Sequence, residues 1–187
     1  MVADGDGCYM NKIENVITYR PVTEQPDLSN FSCGKSTIDD HIREALFISK
    51  LRTSTILEIL VDGYCVGFIS YRVEHYPPEP IDWDEEEYQN NYTIHEQFYR
   101  AACIEYLAID ERLQQNGIGT EVLRWFLKFA ERYLPVRYVL LEATPDNVGW
   151  YRKNGFIKVG TTEYDNVVMH VDLRKNTELE KIVEQME

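Results

Sequence analysis

The sequence predicts an α/β layer fold built on a mixed β-sheet, and three observations point there. Strand-like and helix-like segments follow one another as strand, helix, hairpin, strand, helix, strand, helix, strand, strand. Asp62-Gly63 sits between two β-rich runs, a strong hairpin signal that builds in antiparallel pairing. Tyr138 to Glu142 is a continuous apolar run, suited to a central strand covered on both faces. At 187 residues the chain is long enough to bury a sizeable core and short enough to form one domain, spanning 1–187.

Val16 to Val22 reads as the first strand, closed by Pro21 and Pro26. Ser36 and Asp39 read as a capping box opening a helix that runs to about Lys50, with Ile38, Ile42, Ala45 and Phe47 or Ile48 as its apolar stripe. Thr55 to Val61 and Tyr64 to Val73 form the hairpin. Cys103 to Ile109 is the next strand, and a polar connection leads to a helix from about Ile118 to Leu134. Ile118, Val122, Trp125 or Phe126, Phe129 and Tyr133 give that helix one buried face, and Pro135 ends it. Thr144-Pro145 starts a short helix after the central strand, stopped by Asn154-Gly155. Phe156 to Gly160 and Val167 to Leu173 complete a second strand pair. Leu179, Ile182, Val183 and Met186 follow helical spacing, so a tail helix is expected over about 177–186.

Residues 74–100 interrupt this pattern with Pro77, Pro78 and Pro80 and a run of acids, and read as an inserted loop with a helical turn near Asp84 to Asn90. The insertion carries eight acidic residues and one basic, a net of −7 within a chain total of −13. Such acidity argues against general nucleic-acid binding, which needs a Lys/Arg surplus on some surface. No segment approaches the length of a membrane span, and the N-terminus lacks a basic n-region, so a cytoplasmic location is expected. Cys8, Cys33, Cys65 and Cys103 are spread singly, without a metal-ligand spacing, so free thiols and no metal are expected.

The most informative segment runs from Leu107 to Thr120, where a strand ends, a polar loop follows and a helix opens on Gly117-x-Gly119. Glycines there let a ligand approach the backbone, and the free amides at a helix start attract an anion. A P-loop would need Lys-Ser or Lys-Thr after the second glycine, but Thr120-Glu121 follows Gly119. A dinucleotide fingerprint would need Gly or Ala at Val122 and a tighter turn, and too little α/β chain follows for a doubly wound sheet.

Gln114-x-x-Gly117-x-Gly119 after Leu-Ala-Ile-Asp resembles the acyl-CoA pyrophosphate loop of the GNAT superfamily of N-acetyltransferases. Trp150-Tyr151-Arg152-Lys153-Asn154-Gly155-Phe156 resembles the family's aromatic-Tyr-x-x-x-Gly-Phe segment, one helix and one strand downstream. The resemblance implies a splayed, mixed sheet of about six to seven strands flanked by helices. It implies acetyl-CoA as cosubstrate, its pantetheine arm on the backbone of Leu107, Ala108 and Ile109. The pyrophosphate is implied on the amides of Gln115, Asn116, Gly117, Ile118, Gly119 and Thr120. Tyr151 takes the family's proton-donor position, a phenol that is protonated at neutral pH.

The base stays open between Glu105, on the strand before the loop with the parity of Cys103 and Leu107, and Glu142. The family's usual carboxylate position falls on Cys103. Its pantetheine-binding Asn usually lies seven residues before the tyrosine, at Thr144 here, whereas Asn147 lies four before. Arg112, Arg124, Lys128, Arg152 and Lys153 are candidate phosphate partners. A small-molecule or peptide amine is the expected acceptor. Phe31-Ser32-Cys33-Gly34 through Asp39 is similar to the start of the GNAT toxins that acetylate charged tRNA, which makes tRNA an alternative acceptor set against the chain's acidity. A non-catalytic acyl-CoA-binding module is the alternative outside enzymes. The acidic insertion reads either as an acceptor lid or as a surface loop, and a second copy of the chain is a candidate partner.

Overall fold

The computed structural model describes residues 16–76, 82–83 and 99–174. The expected tail helix over 177–186, the helical turn near 84–90 and Cys8 lie outside them.

The strands are β1 (Ile17–Pro21), β2 (Thr55–Val61), β3 (Tyr64–His75), β4 (Asp82–Trp83), β5 (Arg100–Ile109), β6 (Tyr138–Ala143), β7 (Ile157–Thr161) and β8 (Val167–Asp172). The helices are α1 (Ser36–Arg43), α2 (Ala45–Leu51), α3 (Ile118–Tyr133) and α4 (Val148–Lys153). The sheet order is β1-β2-β3-β5-β6-β8-β7-β4, with β5 and β6 parallel and every other pair antiparallel. This is the mixed sheet the sequence predicts, with the two-residue β4 of the insertion added at its edge.

Asp62 and Gly63 take φ of 51° and 85°, the doubly left-handed turn that matches the twist of the hairpin β2–β3. On β3, a Cβ at Gly67 would stand 2.3 Å from Ala108 O, so only glycine lets β3 lie this close to β5.

Alternation along the strands sends side chains to the two faces of the sheet. Ile59, Ile69, Tyr71, Ile104 and Leu141 meet Val122, Leu123, Phe126 and Leu127 of α3, all buried. Ile56, Phe68, Tyr106 and Ala108 face the other way, onto Ile42 and Ala45 of α1 and α2. Burying Val122, Leu123, Phe126 and Leu127 of α3 accounts for its stability better than propensity does, since each contributes about 1.5–3 kcal/mol. Its aromatic stripe fades toward the end, where Tyr133 is 72% exposed.

Two expectations need correction. The helix read from Ser36 to Lys50 is broken at Glu44, whose φ of −92° and ψ of 3° lie outside the helical region and separate α1 from α2. No capping box forms on Ser36 and Asp39. Asp39 instead turns its carboxylate back to the preceding loop, accepting from Cys33 N–H and from Ser32 Oγ at 2.9 Å each.

Candidate active site

β5 and β6 pair only over Ala101–Ile104 with Tyr138–Leu141. Beyond that point β5 stays with β3 and β6 stays with β8, so the sheet parts and a cleft of about 770 Å³ opens. All of the sequence-expected cofactor residues except Asn116 and Ile118 line it, together with Glu105, Glu142 and Tyr151.

Leu107 to Ile109 form the open edge of β5, where the backbone groups facing away from β3 meet no strand. Asp110, 3% exposed, then turns the chain: its N–H donates to Val66 O, and its carboxylate caps the 3-10 turn Glu111–Leu113 through Arg112 N–H. The Arg112 guanidinium bonded to it holds that carboxyl below its usual range. Gln115 (φ 64°) and Gly117 (φ 84°) are both left-handed, and α3 begins at Ile118 without a side-chain cap. Its first turn therefore leaves amides without a capping side chain, although Thr120 N–H donates to Gly117 O at 3.0 Å, and a Cβ at Gly117 would meet nothing within 4 Å. An open strand edge leading to uncapped amides fits an extended acyl carrier that ends in a diphosphate.

Tyr151 stands across the cleft on α4. Thr144 and the turn Pro145–Asn147 lead from β6 into that helix, and Gly155 (φ 87°) ends it before Phe156. Asn154, buried, fixes the helix end by donating to Trp150 O at 2.9 Å. Trp150 binds α4 to the start of α3, donating from Nε1 to Thr120 Oγ1 at 3.2 Å. The Tyr151 ring packs edge-on against Trp150 and Phe156, and burial pushes its phenol up to about 12. It is a firmly protonated hydroxyl at neutral pH. Asn147 and Glu142 are exposed on the cleft rim, as the end of β6 dictates.

Glu105 occupies a β-bulge. Ser70 pairs with Tyr106 and Tyr71 with Ile104, leaving Glu105 as the extra residue. The parity reading is thereby corrected. Glu105 shares its side of the sheet with Ser70 and Arg72, while the bulge turns Leu107 to the α3 face. Ser70 Oγ donates to Glu105 at 2.6 Å and Arg72 at 2.7 Å. Burial alone would raise this carboxyl, but the hydrogen bonds from Ser70, Ser54 and Arg72 outweigh it and keep it below its usual range. Arg72 also pairs with Glu74, whose other oxygen accepts from the Cys103 thiol at 2.9 Å. The position where the family places a carboxylate thus holds a thiol, with burial and Glu74 raising its pKa.

None of the five candidate phosphate cations is among the described residues lining the cleft. Arg112 and Arg124 are paired instead with Asp110 and Glu121. Lys35, which the sequence reading passed over, does line the cleft, as do Cys33 and Gln114. The resemblance of the Phe31 to Asp39 segment points to Cys33 and Lys35, and the loop motif points to Gln114. No group of three or more metal-ligating side chains occurs among the described residues. No helix among them is long and apolar enough to cross a membrane.

No curated protein sequence matches the chain. Among solved structures, a bacterial toxin superposes with a TM-score of 0.71 at 16% identity, over 91% of this chain and 96% of its own. AtaTR bound with acetyl-CoA gives 0.68 at 16%, over 89% and 98%. AtaT complexed with acetyl-methionyl-tRNA gives 0.65 at 14%, over 90% and 99%. Likeness at such low identity establishes the fold. The family model for the acetyltransferase (GNAT) family matches residues 26–156, and with it the chain belongs to that family, as an acetyl-CoA-dependent N-acetyltransferase.

Proposed function

We propose that the chain transfers the acetyl group of acetyl-CoA directly to a primary amine, with Tyr151 as proton donor. The observation that carries this reading is the convergence, in one cleft, of an open β5 edge, an uncapped helix start and a half-buried phenol. The thioester supplies an activated acetyl group and a thiolate leaving group. Backbone groups of Leu107, Ala108 and Ile109 orient the acyl arm, and amides from Gln115 to Thr120 hold the diphosphate. Asn147, on the rim, adds a polar contact to the arm. Tyr151 keeps its proton at Oη until charge grows on sulfur, donates it as the C–S bond breaks, and the phenolate is returned to phenol by the proton that the attacking nitrogen gives up as the amide forms. Glu105, held ionised by Arg72 and Ser70, attracts the protonated amine and passes its proton to water in the open cleft; Glu142 is the second carboxylate within reach of that water. The three described cysteines are free, which supports a reducing compartment, the cytoplasm.

One class of primary amine has a specific observation in its favour. Likeness over 90% of the chain to AtaT, a protein solved with acetyl-methionyl-tRNA, together with the Phe31 to Asp39 resemblance, supports the α-amine of aminoacyl-tRNA as acceptor. The acidic insertion, largely outside the described residues, favours instead a small cationic amine or basic peptide.

The test is thiol release from acetyl-CoA with polyamines, basic peptides and aminoacyl-tRNA in parallel. Release matched by N-acetylated product for one class supports the reading. Acetyl-CoA binding by calorimetry without turnover on any class would instead identify a non-catalytic acyl-CoA-binding module.

A further inference from the structure

Gln114 lies between β5 and α3, and its side-chain amide reaches two carbonyls. Nε2 donates at 2.9 Å to Ile109 O, the end of the open edge, and at 2.9 Å to Cys33 O, 81 positions earlier. Both N–H donors of the amide are used, so its orientation is locked. Two further ties run the same way, from Glu111 N–H to Ser32 O at 2.8 Å and from the Arg112 guanidinium to Asn30 O. On its other side the segment is held by Asp39, which accepts from Ser32 Oγ and Cys33 N–H and is only 9% exposed. The lip that Cys33 and Lys35 contribute to the cleft is thus fastened to the cofactor loop at one end and to α1 at the other. Ile38 of α1 lines the same cleft.

We propose that Gln114 is a positioning residue that couples the two sides of the cleft. Order imposed on residues 114–120 by a bound diphosphate passes through Gln114 to Cys33, and through Asp39 to α1. Cofactor binding thereby shapes the acceptor lip before the amine arrives. The proposal rests on reading the cleft as a cofactor and acceptor site. Coupling of this kind needs no large movement, only that one segment lowers the freedom of the other.

The test is hydrogen–deuterium exchange on the full chain with CoA as probe, comparing wild type with Gln114→Met, which keeps side-chain length and loses both donors. Gln114→Glu, isosteric and unable to donate when ionised, is the second variant. In wild type, CoA slows exchange both in peptides covering 114–123 and in those covering 28–38. In either variant the first effect persists, and the CoA-dependent slowing over 28–38 drops by about fivefold or more. A merely structural Gln114 would raise exchange over 28–38 equally with and without CoA, leaving their ratio intact, and that result overturns the coupling. So does protection of 114–123 alone in wild type. If CoA protects neither segment, the cofactor reading fails, and the proposal with it.

Discussion

The wall of the cleft from Leu107 to Gly119, proposed to hold the cofactor by its main chain, contrasts with the side proposed for the acceptor, whose side chains are assembled from distant parts of the sequence. Glu105 is positioned by Ser70 and Arg72, 35 and 33 positions away, and the Cys33 lip by Gln114, 81 positions away. A main-chain site demands particular residues only where the backbone must be left-handed or closely approached. A side-chain site can change its partners without changing the fold.

The largest expected effect comes from attacking the main-chain wall at Gly117, the glycine of its two left-handed positions. Gly117→Val puts a β-branched residue at φ 84° and displaces the first turn of α3. The strain of about 1–3 kcal/mol should appear as a CoA Kd weakened by up to about 100-fold in calorimetry, with far-UV circular dichroism unchanged.

A control lies in the core that belongs to neither wall. His170, 2% exposed, stacks on Tyr138 and bonds through Nδ1 to Tyr76 Oη at 2.7 Å. Burial, aided by Arg137 and opposed by Asp172, pushes its pKa down to about 4. The unfolded chain takes up that proton near pH 6.5 and the folded chain only near 4, so stability is complete above 6.5 and falls as pH drops toward 4. Urea unfolding at pH 7.5 and pH 5 should differ by about 2 kcal/mol from this residue, and His170→Gln should flatten that slope.

On the acceptor side, Arg72→Met frees Glu105 and Glu74 from their shared cation. Because the partner holds the Glu105 carboxyl low, its removal lets that pKa rise, and the acid limb of kcat/KM for the acceptor moves to higher pH. Stability should change by only about 1 kcal/mol, as the guanidinium is 48% exposed. CoA affinity, read at the main-chain wall, should not follow that pH shift. The smallest effect belongs to Asn116→Ala, whose exposed side chain reaches only Leu113 O at 3.3 Å. CoA Kd should stay within about threefold. A large loss there would break the distinction between the walls.

The same contrast explains what was legible in the sequence. Gly117, Gly119 and the Trp150 to Phe156 segment mark local geometry, so the cofactor loop, α3, α4 and the hairpin at Asp62-Gly63 could be read in place. The bulge at Glu105 could not. Alternation puts Glu105 and Leu107 on one face, and a single inserted residue reverses that without any glycine to announce it. Asp39 carries the spacing of a capping box, yet its carboxylate finds the Ser32 and Cys33 donors of the folded-back loop, a tertiary contact that overrides a local preference. Gln114 was visible as a motif letter, while its tie to Cys33 exists only once β5 has been paired with β3.

The central claim is that the phenol of Tyr151 delivers a proton in a cleft whose cofactor is held by backbone. The direct measurement is kcat and acetyl-CoA Kd for Tyr151→Phe beside wild type, on the amine class that the acceptor screen identifies. The account predicts kcat lower by about 100-fold or more, with Kd within about twofold. Wild-type kcat in that variant, or a Kd that weakens as much as kcat falls, would contradict it.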